Sequence, residues 1–184
     1  MPIGVPSFSD IQGHWAEASI KQAVSDGIVN GYQDGTFKPN QTVTRAEFAV
    51  MLINALKPQV EGTALTFTDA AENGAWAQKA IAQAVELGII KGDVDGSFRP
   101  NAPITRAEMA VMLARALKLD VKSVDATEFA DDQAIPAWAK GAVAEMEAQG
   151  IVQGKGANRF APQDQATRAE AVTVLLKLLA QQSQ

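Results

Sequence analysis

The sequence predicts an all-α fold: three tandem helix–loop–helix repeats packed about a shared axis, with a small turn hairpin in each loop. Trp15, Trp76 and Trp138 recur at spacings of 61 and 62 residues, and Gly27, Gly88, Gly150 and Arg45, Arg106, Arg168 keep the same two spacings. Self-similarity of this kind marks a repeat architecture. Apolar residues within each copy follow the rhythm of one helix face, and helix-start and helix-stop residues stand at matching places in all three.

The copies span 8–57, 67–118 and 129–180, and each opens on an aromatic-x-Asp triplet: Phe8-Ser9-Asp10, Phe67-Thr68-Asp69 and Phe129-Ala130-Asp131. In copy two, Trp76, Ala80, Ile81, Ala84, Val85 and Ile89 lie on one face of a first helix. Gly27-Ile28, Gly88-Ile89 and Gly150-Ile151 place a glycine where a left-handed residue ends that helix, then an apolar residue that folds back on the last turn. A second glycine (Gly31, Gly92, Gly154), then Asp34-Gly35 or Asp95-Gly96 before an aromatic, describes a tight turn that Pro39, Pro100 and Pro162 close.

Thr-Arg-Ala-Glu follows in every copy, at 44–47, 105–108 and 167–170. Thr at the N-cap with Glu three residues on is the capping-box spacing, in which hydroxyl and carboxylate each satisfy a backbone N–H left over at a helix start. A second helix therefore begins at each Thr. Its apolar face continues through Phe48, Met51, Leu52 and Ala55, through Met109, Met112, Leu113 and Ala116, and through Ala171, Val174, Leu175 and Leu178. A copy of this size makes only a thin core alone, so the three faces must bury one another. Residues 58–66 and 119–128 read as short connectors.

Composition narrows the chemistry. The 184 residues carry 16 Lys+Arg against 21 Asp+Glu, a single His and no Cys. No disulfide framework, thiolate metal site or Cys nucleophile can be built, and a Ser-His-Asp triad would rest on His14 alone. The acidic balance does not attract nucleic acid or an anionic membrane, no apolar run is long enough to span a bilayer, and residues 1–6 lack the charged-then-apolar profile of a secretory signal. His14 reads as a surface or helix-start residue. Paired carboxylates such as Glu47 and Glu108 could serve a glycosidase, but their recurrence at a cap is better explained by helix starts, so the chain is read as non-enzymatic. Asp93-Val94-Asp95-Gly96 invites a calcium loop. With Gly96 at the glycine position, Lys91 and Ala102 fall where an EF-hand needs oxygen ligands, and the match fails. No metal or cofactor is expected.

Capping accounts for the Thr and the Glu, but not for the Arg between them. At the first helical position a cation meets the positive end of the helix dipole, where an acid would be the ordinary choice. One reading is a guanidinium that, beside unpaired helix N–H groups, holds a carboxylate bidentately. The other is an Arg paired with a neighbouring Asp or Glu in an interface. Trp15, Trp76 and Trp138 precede small and apolar residues in the setting of a core-facing aromatic, with stacking on a sugar at a groove edge as the second reading. The loops differ: copy three has Ala157 in place of Asp34 and Asp95, and Ala161 in place of Lys38 and Arg99, and gains Lys155 and Arg159. Grooves of unequal strength are therefore expected, the copy-three loop weak or altered, with Arg45 and Arg106 carrying most of the affinity.

Aromatic-x-Asp, Trp-Ala, Gly-Ile, an Asp-Gly-x-Phe-x-Pro turn and Thr-Arg-Ala-Glu, in fixed order and three times over, resemble the S-layer homology domain triplet of Gram-positive surface-layer and wall-anchored proteins. The resemblance covers nearly the whole chain. It implies a pseudo-threefold spindle-like bundle and a non-catalytic module that anchors a larger fused surface protein in the extracellular cell wall. It also implies a partner: secondary cell wall polysaccharide bearing a pyruvate ketal, often on N-acetylmannosamine, held in grooves between copies with the motif arginine prominent. Carried onto this chain, the candidate ligand-binding set is Arg45, Arg106, Arg168, Asp34, Asp95, Gly31, Gly92, Lys38, Arg99, Trp15, Trp76 and Trp138. The alternative is a helical repeat that binds another protein through the same grooves.

Overall fold

The computed structural model describes residues 7–62, 64–121 and 124–182. The N-terminal hexapeptide and three connector positions, Thr63, Lys122 and Ser123, lie outside the described residues, as do Ser183 and Gln184. The described residues form six α-helices, α1 (Glu17–Ser25), α2 (Arg45–Leu56), α3 (Ala75–Glu86), α4 (Arg106–Ala116), α5 (Ala137–Ala148) and α6 (Arg168–Gln182), with single 3-10 turns at Ala70–Glu72 and Asp132–Ala134. The first helix of each copy ends as its sequence dictates. Gly27, Gly88 and Gly150 take φ of 78°, 77° and 74°, and the next isoleucine donates its N–H five residues back, to Ala23, Ala84 and Met146.

Helices pair between copies rather than within them. α2 packs on α3, α4 on α5, and α6 closes the ring on α1. On the axis the extended residues before each Thr form a closed cycle of backbone bonds. Val43 donates to Ala166, Ala166 to Ile104 and Ile104 to Val43, each at 3.0 Å, with all three side chains fully buried. This is the pseudo-threefold spindle. Among the described residues there is no strand, and each loop hairpin reduces to a turn held by two backbone bonds, such as Tyr32 N–H to Thr36 O at 2.8 Å and Gly35 N–H to Tyr32 O at 3.1 Å.

The same cycle satisfies the helix starts. Thr44 and Thr105 form complete capping boxes with Glu47 and Glu108, and Thr167 accepts from Glu170 N–H at 3.1 Å. The two preceding N–H groups are taken by the neighbouring copy: Arg45 and Ala46 donate to Ala102 and Pro100, Arg106 and Ala107 to Asp164 and Pro162, Arg168 and Ala169 to Gln41 and Pro39. The expectation of spare N–H groups beside the arginine is thus corrected, because docking one copy's helix onto the next copy's loop consumes them.

The core is held by one phenylalanine per loop, Phe37, Phe98 and Phe160, all fully buried and stacked or tilted against Phe8, Phe67 and Phe129 at 5.6, 5.5 and 5.4 Å. Burying each contributes roughly 1.5–3 kcal/mol. The tryptophans differ from the core-facing expectation: Trp15, Trp76 and Trp138 are 67, 62 and 62% exposed. The alanine after each, Ala16, Ala77 and Ala139, is buried instead, which turns the indole outward.

Candidate functional site

Two of the exposed indoles, Trp138 and Trp15, stand at the rims of grooves to which all three copies contribute. Groove two, a cavity of about 570 Å³, has Arg45 of copy one on its floor, Lys91–Val94 and Arg99 of the copy-two loop as one wall, Glu108, Val111 and Arg115 of α4 as the other, and Trp138 of copy three at the rim. Groove three, about 320 Å³, repeats this with Arg106, Gln153–Lys155, Glu170, Thr173, Lys177 and Trp15. In copy one the matching residues are Arg168, the Asn30–Tyr32 loop, Val50, Asn54 and Trp76. The last three line a pocket of about 540 Å³ further down the same helix pair.

The three arginines are 8, 6 and 6% exposed, so they are nearly sealed. Each donates Nε to a loop phenylalanine carbonyl of the next copy: Arg45 to Phe98 at 2.9 Å, Arg106 to Phe160 at 2.8 Å and Arg168 to Phe37 at 2.9 Å. Each guanidinium also lies over that ring, at 5.0, 4.8 and 4.4 Å from its centroid. Two have carboxylate partners: Arg45 bonds Glu108, and Arg106 Nη1 lies 3.0 Å from Glu170. Arg168 has no carboxylate in ion-pair contact among the described residues. It bonds the Asn30 carbonyl at 2.8 Å and is faced by Tyr32 at 5.0 Å. Burial lowers the pKa of Arg45 against the pull of Glu108, and burial also lowers that of Arg168. Both remain charged, as guanidinium does. Of the two sequence readings, the interface ion pair describes Arg45 and Arg106 and, among the described residues, not Arg168.

The loop residues divide by role. Asp34 accepts from the Thr36 hydroxyl at 2.6 Å and its N–H at 3.0 Å, and Asp95 from Ser97 at 2.7 and 2.9 Å. The hydroxyl bond is the main reason each carboxyl titrates below its ordinary range. Both therefore hold their own turns, and Asp95 is not among the lining residues of groove two. Gly31 makes room for Phe8: a Cβ there would lie 2.0 Å from the ring. Gly92 lines groove two and takes φ of 81°. Lys38 sits 4.2 Å above the Tyr32 ring. Arg99 bonds Asp93 and lies 3.3 Å from Glu108, and the Asp93 bond raises its pKa.

Lys38, Arg99 and Ala161 share a left-handed backbone, φ 57°, 59° and 58°, immediately before proline. Such a residue stores about 1–3 kcal/mol of strain. The aromatic-x-Asp carboxylate holds it there. Asp10 accepts from Phe37 and Lys38 N–H at 2.9 and 2.8 Å, Asp69 from Phe98 and Arg99 at the same distances, and Asp131 from Phe160 and Ala161 at 2.8 Å each. Burial pushes the Asp10 and Asp131 carboxyls up, but the N–H donors outweigh it and both titrate below the usual range. The phenylalanine in the clamp is the one whose carbonyl receives the arginine, so the triplet's Asp supports the groove floor.

Sequence reasoning missed Glu108 and Glu170 as arginine partners, and Tyr32, Asp93 and Arg115 as groove residues. The signal for Arg115 was present: Glu108, Val111, Met112 and Arg115 are spaced i, i+3, i+4, i+7, one face of α4. His14 is a helix-start residue, its Nδ1 accepting from Ala16 N–H at 3.1 Å and its Nε2 facing Asn40 Oδ1 at 3.0 Å. Among the described residues no group of three or more His, Asp or Glu side chains could hold a metal, and no helix is long and apolar enough to cross a membrane.

A ring of three helical repeats with a buried arginine at each junction, and an arginine-floored, tryptophan-rimmed groove at two of them, defines a class of repeat domain that presents binding surfaces between its copies. The S-layer homology domain model matches residues 7–49, 66–110 and 128–172, and the chain belongs to the S-layer homology family. It is 40% identical over 177 residues to an exoglucanase, XynX, of Acetivibrio thermocellus, covering 94% of this chain and 16% of that protein. It is 35% identical to an S-layer protein of Bacillus thuringiensis subsp. finitimus over 93% of this chain and 21% of that one. It is 37% identical to a cellulosome-anchoring protein of Acetivibrio thermocellus over 68% and 29% respectively. The chain thus spans less than a third of these relatives and corresponds to their S-layer homology part alone. Membership places it with surface-layer and cell-surface proteins and supports an anchoring role in the cell wall.

Proposed function

We propose that the chain anchors a larger surface protein by holding an acidic, pyruvylated secondary cell wall polysaccharide in the grooves between its copies, without catalysis. What supports this is the groove itself: a half-walled cavity with a guanidinium floor and an indole left 62% exposed at the rim. Ligand sites combine apolar and aromatic walls with a few fixed polar groups, and an exposed indole can cover the apolar face of a sugar while cations meet its acid. The proposed ligand-binding residues are the motif arginines Arg45, Arg106 and Arg168, the loop residues Lys38, Arg99, Gly31 and Gly92, and Trp15, Trp76 and Trp138. Asp34 and Asp95 act by shaping the loop. The three-repeat unit works as one domain, because grooves two and three each take a residue from every copy.

Co-sedimentation with purified Gram-positive wall sacculi tests the reading. Binding is expected to sacculi that keep their polysaccharide and to be lost after acid release of that polysaccharide and its pyruvate. Binding indifferent to the treatment would instead favour a protein partner, and soluble sugar released over time would mark a hydrolase.

A further inference from the structure

Arg115 differs from every other arginine in groove two. Arg45 is neutralised by Glu108, and Arg99 by Asp93 and Glu108. Arg115 has no carboxylate in ion-pair contact among the described residues; its one hydrogen bond runs from Nη1 to the Ile89 carbonyl at 3.3 Å. It is half-buried on α4, and burial alone lowers its pKa. A charge withdrawn from water without a counter-charge is unfavourable. Its position is equally particular: Arg115, Val111 and Trp138 line both the groove of about 570 Å³ and a second pocket of about 290 Å³ between α4 and α5. Arg115 and the indole therefore stand where the two hollows meet. The matching residue is Asn54 in copy one and Lys177 in copy three.

Resting on the reading that the grooves take wall polysaccharide, we infer that Arg115, rather than Arg45, meets the acidic group of the glycan in groove two. The position it occupies sets each groove's preference for an acidic over a neutral sugar. Arg45 keeps the loop in place, and the free guanidinium beside the indole, with Lys91 on the loop wall, supplies the net positive charge. Groove one, with Asn54, has little acid preference, and groove three, with Lys177, has a preference without the bidentate fork.

The test uses the full chain carrying W15F and W76F, so that Trp138 alone reports fluorescence from groove two. The probes are purified pyruvylated wall polysaccharide fragments and the same fragments stripped of pyruvate by mild acid. The acidic form is expected to bind about tenfold or more tighter. R115N, the residue of copy one, should remove that preference, and R115K should restore part of it. R115N that retains the full preference overturns the inference and leaves the groove reading standing. Failure of Trp138 to respond to either probe overturns both. If R115N does not fold, N54R read through Trp76 alone (W15F/W138F) replaces it: acid preference must appear in groove one, and its failure to appear overturns the inference.

Discussion

Grooves one and two are built from the same backbone parts and differ in what covers the arginine. In groove one Arg168 is faced by the Phe37 and Tyr32 rings, with Lys38 also over the Tyr32 ring. In groove two Asp93 stands in place of Tyr32; it draws Arg99 aside, and Arg45 is left facing an open cavity beside Glu108. A carbonyl bond and a ring contact to the loop phenylalanine hold each arginine whatever else the loop carries, so the guanidinium is first a fastener between copies. The loop residue then decides whether the fastener is covered by a second ring or lines an open groove. Repetition fixes the scaffold, and the residues that break repetition fix the chemistry.

The comparison presupposes that neither groove exists without the whole ring, and removing copy three is the strongest way to break it. Deleting residues 129–184 takes away Trp138 from groove two, Arg168 from groove one and all of groove three's loop and helix. It also opens the backbone cycle through Ala166. The full chain is expected to melt in one cooperative transition, and the truncated chain to show none and to bind no glycan, a loss as large as the ~5–15 kcal/mol stability of a whole domain. A truncated form that melts cooperatively would show that the copies fold separately.

Next in size is the difference between the fasteners themselves. Arg168→Ala leaves the Phe37 and Asn30 carbonyls without their donor and removes the filling between two rings, each orphaned buried acceptor costing about 1–3 kcal/mol. Arg45→Ala also orphans a carbonyl, Phe98, but Glu108 keeps Arg99 at 3.3 Å. Denaturant titration should therefore place Arg168→Ala about 1 kcal/mol or more below Arg45→Ala. The reverse order would mean that the Glu108 pair, not the carbonyl contacts, dominates.

A reciprocal exchange sharpens the contrast between capped and open. Asp93→Tyr should close groove two and weaken binding of pyruvylated polysaccharide fragments by about tenfold, roughly 1.4 kcal/mol. Tyr32→Asp should open groove one to the same probe. Isothermal titration of both variants checks the pair, and unchanged affinity in Asp93→Tyr would separate the loop residue from binding.

How much of this the sequence disclosed follows from what kind of information each feature carries. Helix starts at Thr44, Thr105 and Thr167 and stops at Gly27, Gly88 and Gly150 were legible because caps are local. The pairing of helices across copies was not, since periodicity names an apolar face without naming its partner. The tryptophans were misjudged for a related reason: Trp76 and Ala77 are adjacent, and which of the two faces inward depends on the docking of α2 against α3. The arginine's dipole mismatch correctly marked it as having a non-local purpose. Its partners lie 47 to 138 residues away in sequence, beyond the reach of any local pattern.

The smallest effect concerns the clamp under both grooves. The Asp10 carboxylate accepts two backbone N–H groups that hold Lys38 left-handed. Burial raises its pKa and those bonds lower it further, for a net depression. A carboxyl whose folded pKa lies below its unfolded value stabilises the fold fully above the unfolded value, near pH 4, and loses that contribution as pH falls through the folded value. Asp10 is largely exposed, so solvent screening limits the contribution to about 1 kcal/mol. Asp10→Asn keeps one good acceptor and abolishes the titration. Chemical denaturation should therefore find the variant less stable than the parent at pH 7 by that amount, with the gap closing as pH falls below the ordinary carboxyl range. A gap that persisted undiminished in acid would show that Asp10 supports the loop by shape rather than by charge, and that groove one owes its left-handed corner to Pro39 and the buried Phe37 alone.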